Sequence, residues 1–157
     1  GGDEIEGIDG KSFLKALFGK EKEHRRFAYG IHNNIPEGTA YPIRSIRDKR
    51  YKLILNLTPE VEYFEKHLMN LKNERSVWAS WIESTKTDKR ARYFVDRYVK
   101  RPAIEFYDMQ KDPWELNNLA EEKKYAKRIA MMKGELEAWM RQQGDTGAQM
   151  DVKIKKQ

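Results

Sequence analysis

Tyr41-Pro42-Ile43-Arg44-Ser45-Ile46-Arg47, the polar Asp48-Lys49-Arg50, and then Tyr51-Lys52-Leu53-Ile54-Leu55-Asn56-Leu57 decide the fold class. Two β-rich runs joined by a short polar turn predict an antiparallel hairpin. Leu53, Leu55 and Leu57 recur at period two, so the second run has one apolar face. Pro42 lacks an N–H and therefore marks a strand start or an edge. Upstream, Arg26-Phe27-Ala28-Tyr29-Gly30-Ile31 alternates loosely as another strand, and the loop from Asn33 to Thr39 is built of turn residues. Downstream, Ile104-Glu105-Phe106-Tyr107-Asp108-Met109 reads as a strand with Ile104, Phe106 and Asp108 on one face. Asp112-Pro113-Trp114-Glu115 then has the pattern of a capped helix start, with Asp as acceptor and Pro at the first helical position. A long helix is expected from about Glu122: Tyr125, Ile129, Met132, Leu136, Trp139 and Met140 form one stripe, and Gly144 stops it. Residues 58–101 read as mostly helical. Val61, Phe64, Leu68 and Leu71 form one stripe, Trp78, Trp81 and Ile82 another, with a break between Thr85 and Asp88 and an end at Pro102. The expected fold class is α+β, a small antiparallel sheet of three or four strands packed against a long C-terminal amphipathic helix, with additional helices between strands.

The 157 residues suffice for one ordinary domain. With 39% hydrophobic residues, 11% of the chain aromatic, there is enough apolar surface to offset the entropy of ordering, which excludes wholesale disorder. Cysteine is absent, and with it disulfides, thiolate metal sites and cysteine nucleophiles. Gly1-Gly2-Asp3-Glu4 has no basic or apolar part of a signal peptide, no apolar run approaches bilayer length, and no membrane partner is expected. Three zones are expected: a linker over 1–24, a subdomain over 25–144 and a flexible tail over 145–157.

Thirty-one Lys and Arg against 25 Asp and Glu leave a formal charge of +6, interleaved almost everywhere with acids. The densest basic stretch, Asp88 to Arg101, carries Tyr93, Phe94 and Tyr98. It reads either as a groove for phosphate or polysulfate with stacking rings, or, by preference, as an amphipathic helix with Phe94, Val95 and Tyr98 inward. Nucleic acid is not the expected partner.

No self-contained catalytic centre is legible. There is no Gly-x-Ser-x-Gly elbow around Ser12, Ser45, Ser76, Ser80 or Ser84. His24, His32 and His67 lack metal-ligand spacing, and Glu21, Glu23 and His24 read as a solvated charge run. Gly7 to Lys11 only superficially matches a phosphate-binding loop.

The succession Asp9-Gly10-Lys11-Ser12-Phe13-Leu14, the hairpin from Tyr41 to Asn56, Glu105-Phe106-Tyr107-Asp108, and Asp112-Pro113-Trp114-Glu115-Leu116-Asn117-Asn118-Leu119-Ala120 resembles the C-terminal subdomain of sulfatases. It looks most like the branch containing heparan N-sulfatase, over roughly Gly7 to Gly144. The resemblance implies a larger N-terminal catalytic domain, carrying formylglycine within a Cys/Ser-x-Pro-x-Arg motif and a Ca²⁺ site. This chain has no cysteine and no Ser-x-Pro-x-Arg. It is accordingly expected to be a piece of a longer sulfatase, inactive alone and holding no metal, that completes the pocket for a sulfated saccharide, O- or N-linked. Its partners would be its own N-terminal domain and that substrate; its location would be periplasmic, lysosomal or secreted.

Carried over by position, Arg44 is the candidate contact to the sulfated sugar, because a guanidinium fork suits sulfate or carboxylate oxygens. A structural arginine paired with an acid is its alternative. His32 and Glu37, on the preceding loop, are further substrate-binding candidates. Tyr107 and Asp108 read as structural, and Trp78, Trp81, Trp114 and Trp139 as core or interdomain packing residues rather than stacking platforms. The competing readings are a free-standing polyanion-binding module, for sulfated glycan or nucleic acid, and a purely bracing domain.

Overall fold

The computed structural model describes residues 7, 8, 10–72 and 76–150. Four strands, β1 (Ala28–His32), β2 (Ile43–Arg47), β3 (Tyr51–Asn56) and β4 (Ile104–Asp108), form one antiparallel sheet in that order. The expected hairpin is present, with Arg47 opposite Lys52. Its turn is held by Asp48, whose Oδ1 accepts from the N–H groups of Arg50 at 2.8 Å and Tyr51 at 2.6 Å. Pro42 stands just before β2, where its missing donor costs nothing. The outer edge of β4 is capped rather than bare: Asn118 Oδ1 accepts from Phe106 N–H, and Leu119 N–H donates to Phe106 O.

Alternation assigns the two faces. Ile46, Leu53, Leu55 and Phe106 point to one side, where helix α4 (Ala126–Gln142) lays Met132 and Leu136 against them. All but Leu55 are fully buried, and each such side chain contributes about 1.5–3 kcal/mol relative to exposure. Trp139 of α4 stacks on Tyr29 of β1 at 4.6 Å, as the packing role expected of it requires. Among the described residues there are three further α-helices. A single turn, α1 (Leu14–Leu17), buries no residue. α2 (Val77–Ser84) starts where Ser76 Oγ accepts from Ala79 N–H, and α3 (Lys89–Val99) where Asp88 accepts from Arg90 N–H. α2 and α3 lie between β3 and β4 and build a second cluster of Tyr41, Tyr63, Met69, Trp78 and Val95 on the other side of the sheet.

Two stretches differ from the sequence reading. Residues 61–71 are not helical. Tyr63 and Met69 are the buried residues there, while Phe64 and Leu71 of the expected stripe are exposed. The reason is tertiary hydrogen bonding: Tyr63 N–H donates to Val99 O, Lys66 N–H to Glu37 O, and Phe64 O accepts from Asn34 Nδ2. Backbone groups committed to distant partners are lost to a local helix. Nor does Asp112-Pro113-Trp114-Glu115 open a helix. Asp112 accepts from Asn117 N–H, Glu115 has φ +54°, and the chain turns there; α4 begins only after a 3₁₀ turn at Lys123–Tyr125. Trp114 is exposed in this chain and so is not a core residue of it. Of the expected tail, Asp145 and Gly147 are buried, and 151–157 lie outside the described residues, as does Asp9.

Phe106→Ala is expected to cost about 3–5 kcal/mol, read as a fall in urea midpoint at constant slope. Phe64→Ala should stay within about 0.5 kcal/mol of the parent. A large loss at Phe64 would restore the helical reading of 61–71.

Candidate functional site

Between His32, the last residue of β1, and Ile43, the first of β2, the chain makes a loop whose shape is fixed from inside. Asn34 is buried in the left-handed region at φ +61°, and its Nδ2 donates to Thr39 O at 2.9 Å and Phe64 O at 2.7 Å. Gly38 N–H closes the turn onto Asn34 O, and Gly38 pairs with Glu65. A Cβ at Gly38 would stand 1.8 Å from Phe64 O, so only glycine fits.

Arg44 ties this loop to the far end of the chain. It is 1% exposed, on the α4 side of the sheet beside Leu55. Its Nε donates to Asp145 Oδ2 at 2.5 Å and Nη2 to Asp145 Oδ1 at 3.1 Å, a bidentate fork. Nη1 donates to Asn33 Oδ1 at 2.7 Å and to Ile43 O at 3.0 Å. Asp145 is delivered by the end of α4. Gly144, at φ +67°, lets its N–H reach Arg141 O and that of Asp145 reach Met140 O, the double bond of a Schellman cap. Asp145 Oδ1 also accepts from Gly147 N–H at 2.8 Å. The hydrogen bonds from Arg44 hold the Asp145 carboxyl below the usual carboxylate range, against the opposing effect of burial.

The three sequence candidates therefore share a loop but not a face. Arg44 is opposite Ile31 in register, so its neighbour His32 points to the other side of the sheet. His32 is exposed, with its ring 6.3 Å from that of Tyr63. Glu37 is half-buried, its carbonyl held by Lys66 N–H. The guanidinium of Arg44 faces protein acceptors, in the arrangement of a structural arginine. Sequence reading missed Asn33 and Asp145; the partner of Arg44 lies 101 residues along the chain, and the only local signal was Gly144.

The basic stretch folds as the amphipathic helix α3, with Val95 buried and Tyr98 against the second cluster. Arg97 donates to Tyr107 Oη and to the carbonyls of Glu115 and Leu116. Among the described residues, no group of three or more His, Cys, Asp and Glu is placed to hold a metal ion.

No protein-family model matches the chain. It is 34% identical over 151 residues to an ulvan-active sulfatase of Formosa agariphila, covering 92% of this chain and 27% of the relative. Human N-sulphoglucosamine sulphohydrolase is 25% identical over 141 residues, covering 84% and 26%. A solved putative sulfatase from Bacteroides thetaiotaomicron superposes with a TM-score of 0.56 at 20% identity, covering 99% of this chain and 24% of that one, a likeness of fold. The homologues of the chain are thus sulfatases, it spans about a quarter of the length of the curated relatives it matches, and the resemblance to a sulfatase C-terminal subdomain is upheld.

Because the folded-state value of Asp145 is depressed, its contribution is complete above the unfolded value and is lost as pH falls below about 4. Asp145→Asn should cost about 3–5 kcal/mol at pH 7, since the Arg44 charge stays buried without its counter-ion. The variant should also lose less stability than the parent between pH 5 and pH 3, with the remaining acid sensitivity shared by the other depressed carboxylates: Asp108, held by Arg50, and the more exposed Glu23 and Glu65. Urea unfolding across that range measures both; equal stability of the two proteins at pH 7 would discount the pair.

Proposed function

We propose that this chain is the smaller, C-terminal subdomain of a sulfatase that hydrolyses O- or N-linked sulfate from a sulfated saccharide, and that the loop from His32 to Arg44 borders the substrate pocket. The observation that carries this reading is the coverage: nearly the whole chain aligns with about a quarter of each sulfatase relative. The formylglycine nucleophile and Ca²⁺ of such an enzyme would supply attack on sulfur and neutralisation of its oxygens; both would sit in the preceding domain.

The chain's own residues have defined parts in this reading. Ile8, Phe13, Leu14, Leu17 and Phe18 are exposed on and around α1, an apolar strip suited to the missing domain. His32 and Glu37 offer polar groups at the loop to the saccharide or to its sulfate environment. Arg44 acts as a positioning residue: it touches Asn33, next to His32, and is itself held by Asp145. Periplasmic, lysosomal or secreted location goes with the reading; among the described residues, no helix is long and apolar enough to cross a membrane.

A peptide map of the native protein should show a product several times longer than 157 residues, with a formylglycine-bearing Cys/Ser-x-Pro-x-Arg peptide upstream. In that enzyme, His32→Ala should lower kcat/KM for a sulfated disaccharide roughly tenfold without changing the melting temperature. Arg44→Lys, which loses the bidentate fork, should lower melting temperature and kcat/KM together. A native product of only this length would sink the assignment, and unchanged kinetics for His32→Ala would remove the loop from the pocket.

A further inference from the structure

The face of the sheet turned away from α4 is only partly covered. Lys52, Ile54 and Glu105 point that way by alternation, and between them, α2, α3 and the turn at 114–116 lies a cleft of about 760 Å³. That is within the range of about 300–1,000 Å³ typical of small-molecule sites. Its rim carries two tryptophans in water, Trp114 at 80% exposure and Trp81 at 43%. Trp114 is kept there by construction. Glu115 next to it turns in the left-handed region, Lys52 Nζ donates to the Glu115 carboxylate at 2.8 Å, and Arg97 pins the Glu115 and Leu116 carbonyls. A rigid turn that holds an indole in solvent is an apolar surface that no described residue covers.

The polar groups beside these rings have the complementary chemistry. Arg90 and Arg101 line the cleft, and neither forms an ion pair among the described residues. Arg90 lies 5.6 Å from the Phe94 ring centre, and Arg101 4.4 Å from that of Tyr63, so both guanidiniums are steered by rings rather than neutralised by carboxylates. On the same wall Asp88 Oδ1 accepts from Arg90 N–H, and the Ser84 hydroxyl donates to Ser80 O.

We propose that this cleft binds a sulfated oligosaccharide, with the apolar faces of its sugar rings on Trp114 and Trp81 and a sulfate against Arg90. Flat C–H faces alternating with hydroxyl edges match flat indoles alternating with polar groups, and the weakly hydrated planar cation matches a sulfate. The choice of a sulfated ligand rests on the sulfatase reading; the cleft, its rings and its cations stand without it.

The test is titration of the 157-residue chain, by calorimetry and tryptophan fluorescence, with a sulfated ulvan oligosaccharide and with its chemically desulfated form. Saturable binding is expected for the first and at least roughly tenfold weaker binding for the second. Trp114→Ala and Arg90→Ala, both on the rim where folding is not at stake, should each weaken binding roughly five- to tenfold. Lys133→Ala removes the same charge from the solvent side of α4 and should leave it unchanged. No saturable binding at low salt, equal affinity for both oligosaccharides, or an equal loss in Lys133→Ala would each overturn the proposal. If the native product carries the formylglycine peptide while the chain binds neither sugar, this inference fails alone. If the chain binds but the native product is no longer than 157 residues, it is the sulfatase reading that fails.

Discussion

Burying a guanidinium is tolerable only when its charge is paired and most of its directional donors are met, and the site around Arg44 is organised by that requirement. Desolvating an ion costs several kcal/mol, and Coulomb attraction offsets this only where geometry is close and the remaining hydrogen-bonding positions are filled. Here Asp145 takes the two parallel donors, Asn33 and the Ile43 carbonyl take a third and fourth, and Gly147 adds a donor back to the carboxylate. One charge pair thereby fixes three separate pieces of backbone: the start of β2, the loop after β1 and the chain leaving α4. An aliphatic pair of similar volume would bury as well. It would not specify which way the loop side chain of Asn33 points.

The elements that were legible from sequence are those whose causes are local. Period-two leucines at 53 and 55, the Asp48 turn and the Gly144 stop each act within a few residues, and each is where the pattern places it. The failures share one physical origin. Residues 61–71 have an acceptable helical stripe, but their backbone donors and acceptors are taken by Glu37, Asn34 and Val99, none of which a local window contains. At 112–115 the capping residues are of the right type in the right order, yet Glu115 adopts a left-handed conformation and its carboxylate goes to Lys52 on β3. Of the candidate site, the turn character of the loop was legible; Asn33 and Asp145 as partners of Arg44 were not, nor was the face each side chain takes, which depends on strand register and puts Arg44 and His32 on opposite sides.

The two faces of one sheet carry different physics. Towards α4 the contacts are mainly aliphatic and aromatic, with Arg44–Asp145 buried among them and Arg50–Asp108 at the margin. Away from α4 the cover is assembled from two short helices and turns, where rings and cations pack beside the aliphatic side chains of the second cluster. Arg101 against the rings of Tyr41, Tyr63 and Tyr98, and Arg97 against Tyr107, are the cohesive elements there. Such a layer keeps most of its cations near the surface, although the hydroxyl of Tyr41 is buried there without a hydrogen-bond partner, and beside it lies the cleft.

The Schellman cap at Gly144 also has a bearing on biosynthesis. Arg44 leaves the ribosome 101 residues ahead of the aspartate that neutralises it, an interval of about 5–20 s at ordinary elongation rates. Through that interval the hairpin can pair, but the cation on β2 must stay hydrated and the Asn33 loop unanchored. The loop therefore takes its final shape only once the helix terminus has been made and has docked, so a nascent chain stalled before Gly144 would display a formed sheet and an unset loop to the folding machinery of the cell.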